Sequence, residues 1–97
     1  MKVILIIEVS ELEDKVLFER HLNKEGFTPI DGEDFAYEGD TTTNINSTKI
    51  YILNVVKEAL KITEFEKCKI IFQIGENPME AYQFNKKDDE FDGVGIS

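Results

Sequence analysis

The sequence predicts an α+β domain in which a four-stranded antiparallel sheet carries two helices on one face. Three observations predict it. The chain opens on a β-branched apolar run, KVILIIEV at residues 2–9. A second such run, KIIFQI, occupies residues 69–74, and the clearest amphipathic segment lies between them, from about Thr48 to Phe65. A first helix and two short strands fill the interval, so the order is βαββαβ. Right-handed crossovers wind that order into a ferredoxin-like sandwich, with residues 1–86 as its single domain.

Residues 2–9 are apolar except near the ends, which predicts a central strand buried on both faces. Ser10 with Glu13 three residues later forms a capping box, so a helix is expected from there to about Lys24. Gly26 supplies its left-handed C-terminal stop. Leu12–Val16 and Phe18–Leu22 are i,i+4 pairs on its apolar side, with Glu19 interrupting the stripe. Phe27–Ile30 and Phe35–Tyr37 read as short strands joined at Asp31-Gly32, and Pro29, lacking an amide donor, suits a sheet edge.

The polar segment TTTNINST delivers a cap, Ser47 or Thr48, to the second helix. Ile52, Leu53, Val55, Val56, Ala59 and Leu60 point inward there, and Asn54, Lys57, Glu58, Lys61 and Glu64 outward. Gly75 ends the strand at 69–74. Asn77-Pro78-Met79-Glu80 then reads as a helix start, with Asn as cap and Pro at the first helical position, so a short helix to about Lys86 is favoured over an edge strand AYQF. The remainder, KKDDEFDGVGIS at 86–97, has the composition of an acidic disordered tail from residue 87 onward.

The bulk properties narrow the class. A chain of 97 residues with 41% hydrophobic content, seven Phe and three Tyr can build one core without staples. One cysteine, Cys68, cannot form an internal disulfide and indicates a reducing compartment. The opening run is too short for a secretory signal and leads into the acidic ELED, and no stretch approaches the roughly 20 apolar residues of a membrane span. A cytoplasmic protein that binds no membrane is expected. The net charge of −9 repels polyanions, so nucleic-acid binding is expected to be weak or absent.

The opening MKVILIIEVS resembles the first strand of the small CRISPR-associated adaptation nucleases, where a hydrophobic strand ends in an acidic residue, an aliphatic residue and often Ser. NKEGFTPIDGEDFAYEGD is similar to that family's helix end, which leads through Gly into a strand closing on an aromatic residue and Glu-Gly. Tyr37-Glu38-Gly39 is that ending here. The related virulence-associated protein D family, small toxin-type endoribonucleases, looks similar over IIFQIGENPMEAYQF as well. The resemblance covers roughly residues 1 to 85 in layout. It implies a homodimer in which strand-end carboxylates from two subunits flank Mg²⁺ or Mn²⁺. Glu8 is the matching residue, as metal ligand and catalytic group, where both families place Asp.

Other candidates are weaker. Asp31, Glu33, Asp34, Glu38 and Asp40 form a dense acidic stretch, but their spacing does not fit an EF-hand loop. His21 has Glu25 as its i,i+4 neighbour but no second His or nearby Cys, which suits a helix-surface or dimer-contact residue. Cys68 reads as a buried small hydrophobe. Tyr51, Phe72, Tyr82 and Phe84 could stack bases, but their spacing suits core or interface packing. No cofactor-binding motif occurs.

Three functions fit. A dimeric, non-catalytic adaptor or regulator that contacts a protein partner ranks first, because Glu8 lengthens the family's ligand and the charge opposes RNA. A metal-dependent endoribonuclease with a composite site at the dimer axis ranks second. An acidic decoy or antitoxin-like protein for a basic partner ranks third.

Overall fold

In the computed structural model, which describes residues 1–95, the chain forms an α+β layer pair of two helices on a six-stranded antiparallel sheet. The elements are β1 (Lys2–Ser10), α1 (Lys15–Lys24), β2 (Thr28–Pro29), β3 (Ala36–Asp40), α2 (Ile45–Lys61), β4 (Lys67–Ile74), β5 (Glu80–Asn85) and β6 (Glu90–Val94). Across the sheet they run β2-β3-β1-β4-β5-β6. Each strand–helix–strand passage therefore steps over one strand: β3 lies between β1 and β2, and β1 lies between β3 and β4. Among the described residues no helix is long and apolar enough to cross a membrane.

β1 occupies the middle because its sequence can satisfy two neighbours at once. It pairs with β3 from Lys2 to Ile6 and with β4 from Val3 to Ser10. Val3, Leu5 and Ile7 point to the helices and are buried. On β4 the same face carries Cys68, Ile70, Phe72 and Ile74, and on β3 it carries Tyr37. These residues join Phe18 and Leu22 of α1, and Ile52, Val55, Val56, Ala59 and Leu60 of α2, in one core. The expectation that β1 is buried on both faces is corrected: Ile4 and Ile6 on the far side are half-buried and Glu8 is exposed.

The sheet has six strands where four were expected, and both additions come from misread C-terminal residues. Residues 78–86, read as a helix, hold β5, which is the edge-strand alternative moved inward by a further strand. Alternation decides it. Tyr82 and Phe84 face the helix side, where Tyr82 stacks on Phe72 at 5.6 Å and Phe84 meets Phe65 edge-on at 5.6 Å, while Ala81 faces the other way. A helix over the same residues would turn Tyr82 and Phe84 about 200° apart and break that pairing.

The segment read as a disordered tail holds β6, which pairs with β5 from Ala81↔Val94 to Asn85↔Glu90. Its charged residues build the hairpin turn: the Asn85 side-chain carbonyl accepts from the Lys87 amide at 3.0 Å, and its amide donates to Asp88 at 3.1 Å. Phe91 then packs edge-on against Phe84 at 5.1 Å. Residues 96 and 97 of that expected tail lie outside the described residues.

The helix starts also move. Asp14, not Ser10, caps α1, accepting from the Leu17 amide at 3.0 Å. Ser10 is retained by β1, where its carbonyl accepts from the Glu66 amide and its hydroxyl from the Lys67 amide. Leu12 consequently lies ahead of the helix and Val16 is 69% exposed. Asn44 caps α2 by accepting from the Ser47 amide at 2.8 Å, and the helix ends at Lys61, four residues short of Phe65.

The C-terminal stop of α1 agrees with expectation. Gly26 has φ +101°, the Phe27 amide donates to the Leu22 carbonyl and the Gly26 amide to the Asn23 carbonyl, which together are a Schellman closure. β2 is only Thr28–Pro29 and lies at the sheet edge, where Pro29 needs no ladder donor.

Two substitutions test this packing. Val56→Asp places an uncompensated carboxylate in the core and should cost several kcal/mol, enough to abolish the urea transition of a marginal domain. Phe91→Ala should lower the unfolding free energy by about 1–3 kcal/mol, less than a fully buried Phe would. An unchanged midpoint for Phe91→Ala would remove β6 from the folded unit.

Candidate functional site

The face of the sheet away from the helices carries the residue that the sequence singles out. Strand alternation puts Ile4, Ile6 and Glu8 of β1 on that face. Register then fixes their neighbours. Ile6 lies between Ala36 of β3 and Ile71 of β4, Ile71 is opposite Ala81, and Ala81 is opposite Val94. An unbroken apolar row thus crosses five strands. One side of the row is flanked by Glu38, Ile4 and Gln73, and the other by Glu8, Lys69, Gln83 and Asp92.

Glu8 is exposed and directly opposite Lys69. Opposed side chains in an antiparallel pair have Cβ atoms about 5 Å apart, so the nearest cross-strand neighbour of the carboxylate on β4 is an ammonium. Among the described residues no ion pair within 4.0 Å joins them; Glu8 is exposed and Lys69 half-buried. Glu8, Ser10, Lys67, Lys69 and Gln83 border a shallow hollow of about 420 Å³. The arrangement can hold a polar or charged surface. Among the described residues no group of three or more His, Cys, Asp or Glu side chains is placed to hold a metal ion.

The other candidates do not converge on Glu8. Asp31, Glu33 and Asp34 sit in the exposed turn before β3, with Lys15 3.3 Å from Asp34. Glu38 pairs with Lys2 at 3.4 Å, and Asp40 ends β3. His21 is half-buried on α1. Tyr82 stacks in the core and donates to Glu80 at 3.0 Å, while Lys49 of α2 reaches the same carboxylate at 2.9 Å. Both Tyr82 and Phe84 are packing residues, not free platforms.

Gly39 of the Tyr-Glu-Gly ending has a steric reason: a Cβ there would come within 2.9 Å of the Gly26 carbonyl oxygen and 3.3 Å of the Phe27 ring.

Two polar arrangements escaped the sequence reading. Tyr37 is fully buried and its hydroxyl donates to Glu19 at 2.7 Å, which explains the carboxylate interrupting the apolar stripe of α1. Burial first, and then the Glu19 carboxylate, push the Tyr37 phenol well above its usual range. Thr41, Thr43 and Thr48 bring their hydroxyls within 2.8–3.0 Å of one another beside a cavity of about 380 Å³. The Thr-rich composition of the loop was visible, but the closure of Thr48 on it needs the tertiary fold.

Cys68 is buried in β4, and burial pushes its thiol up to about 12 from 9.0. At neutral pH it is a packing group and a poor nucleophile. The sign of its linkage follows: between about pH 9 and about 12 the unfolded chain ionises there while the folded chain does not. The parent should therefore lose more stability than Cys68→Val as pH rises through that window, in parallel urea titrations. Equal slopes would mean the thiol is accessible in the folded state.

Comparisons of this chain with protein-family models, with curated proteins and with solved structures gave no match.

Proposed function

We propose that this chain is a small dimeric, non-catalytic adaptor or regulatory protein, a ferredoxin-like domain extended by a hairpin, which pairs through the helix-free face of its sheet. The order β2-β3-β1-β4 supports the ferredoxin-like reading, since both crossovers skip one strand as in a split βαβ unit. On this reading the layout belongs with the CRISPR-associated adaptation nucleases and the virulence-associated protein D proteins that the sequence resembles. The added β5–β6 hairpin widens the face available for pairing.

One observation carries the proposal: the apolar row Ala36–Ile6–Ile71–Ala81–Val94 with Glu8 and Lys69 side by side on its flank. A second copy is the occupant this surface suits best. A two-fold axis through the row would bury its apolar atoms and bring Glu8 of one copy towards Lys69 of the other, a self-complementary charge arrangement. The same neighbour weakens the catalytic alternative. An ammonium beside Glu8 offsets the negative charge that a hard cation requires.

A metal-dependent endoribonuclease remains the second reading, because Lys67 and Lys69 share the hollow with Glu8 and could meet phosphates there. Its metal, Mg²⁺ or Mn²⁺, would lie between two Glu8 carboxylates.

Light scattering at micromolar concentration should give about twice the 11.2 kDa chain mass, and Ile6→Lys should give the single-chain mass with unchanged circular dichroism. A monomeric parent would end the dimer reading. For the chemistry, the parent, Glu8→Asp and Glu8→Gln are all expected to leave RNA intact with Mg²⁺ or Mn²⁺. Cleavage by the parent that is lost in Glu8→Gln and kept in Glu8→Asp would establish the nuclease instead.

A further inference from the structure

The cavity of about 380 Å³ lies on the helix side, apart from the face proposed for pairing, where the end of α1, the end of β3 and the first turns of α2 meet. Its volume falls in the range of small-molecule sites. What it can hold follows from which of its groups are already engaged.

Neither sign of charge finds a partner there. Among the described residues no Lys, Arg or His side chain lines the cavity. Asp40 belongs to it through its backbone, because pairing with Lys2 puts its side chain on the helix-free face. The Glu25 carboxylate already accepts from the Tyr51 hydroxyl at 2.9 Å. The start of α2 offers an anion little either, since the Ser47 amide donates to the Asn44 side chain and the Thr48 amide to the Asn44 carbonyl.

The remaining lining is hydroxyl and aromatic. Thr42 and Ser47 are exposed, and among the described residues neither hydroxyl has a protein partner, so each can donate and accept. Thr41, Thr43 and Thr48 close a ring of hydroxyls 2.8–3.0 Å apart, which fixes the loop that carries Thr42. Tyr51 is held from two sides: the buried Phe27 stacks on it at 6.4 Å with 26° between planes, and Glu25 holds its hydroxyl. The residue is still 45% exposed.

An aromatic face is negative and attracts C–H groups, and free hydroxyls suit a ligand whose own groups both donate and accept. A saccharide ring brings both, with apolar C–H faces and a rim of hydroxyls. It also carries no charge for this lining to leave unpaired. We propose that this cavity binds a neutral saccharide, its ring against Tyr51 and its hydroxyls on Thr42, Ser47 and the remaining lone pairs of Glu25. The sugar could be free or the end of a glycan chain, and the two sources share this chemistry. The inference does not depend on the oligomeric state.

Amide-resolved NMR titrations of the full chain test it, with methyl glycosides of glucose, galactose and mannose as single rings. A disaccharide of whichever binds represents the chain end. Saturable shifts centred on Gly26, Thr42 and Thr43 are expected for at least one glycoside; tighter binding of the disaccharide assigns a glycan end, and equal binding a free sugar. Tyr51→Leu should abolish the shifts with circular dichroism unchanged. Thr42→Val combined with Ser47→Ala should weaken binding by roughly 3- to 10-fold, and decides the matter should Tyr51→Leu fail to fold. No saturable shift with any of the three glycosides, tetrahydropyran binding as tightly as they do, or the hydroxyl-free double variant binding like the parent would overturn the assignment.

Discussion

The alternation of β1 between two antiparallel partners is the constraint on which the other features of this structure rest. Val3, Leu5 and Ile7 must face the helices, because β3 and β4 present Tyr37, Ile70 and Phe72 to the same core. Once that face is chosen, Ile4, Ile6 and Glu8 have no alternative but the other one. A one-residue slip would exchange the two sets and put Glu8 among buried aliphatic side chains. The position of Glu8, its opposition to Lys69 and the apolar row through Ile6 are thus consequences of core burial.

This explains what could be read from the sequence and what could not. The Gly26 stop was legible because a left-handed closure favours glycine, and Pro29 because a missing donor suits an edge. The helix starts were less so: Ser10, Asp14, Asn44, Ser47 and Thr48 are all competent caps, and pairing of Ser10 with Lys67 across 57 residues settles the first choice. β5 was masked by a convincing local signal, Asn-Pro-Met-Glu, which lost to the packing of Tyr82 on Phe72 and Phe84 on Phe65. β6 was hidden by charge. Its one aromatic residue, Phe91, gains its value only beside Phe84.

The candidate site divides in the same way. Glu8 stood out in sequence as a carboxylate ending an apolar strand. That an ammonium stands opposite it is a matter of register between strands some 60 residues apart, which no local pattern reveals. The threonine ring and the Tyr37–Glu19 bond are likewise long-range. Chemistry therefore follows topology here: the register that sets Lys69 beside the strand-end carboxylate is what supports the proposed self-complementary surface over a metal site, and the −9 charge of the chain opposes the approach of polyanions.

Isotope-filtered NOE measurements on an equimolar mixture of ¹³C-labelled and unlabelled protein would address the pairing surface itself. The account predicts intermolecular contacts from the methyl groups of Ile6 and Ile71, because these lie in the row that the proposed second copy would cover. Methyl groups of Ile6 and Ile71 without intermolecular contacts, or contacts confined to the β6 edge, would contradict it.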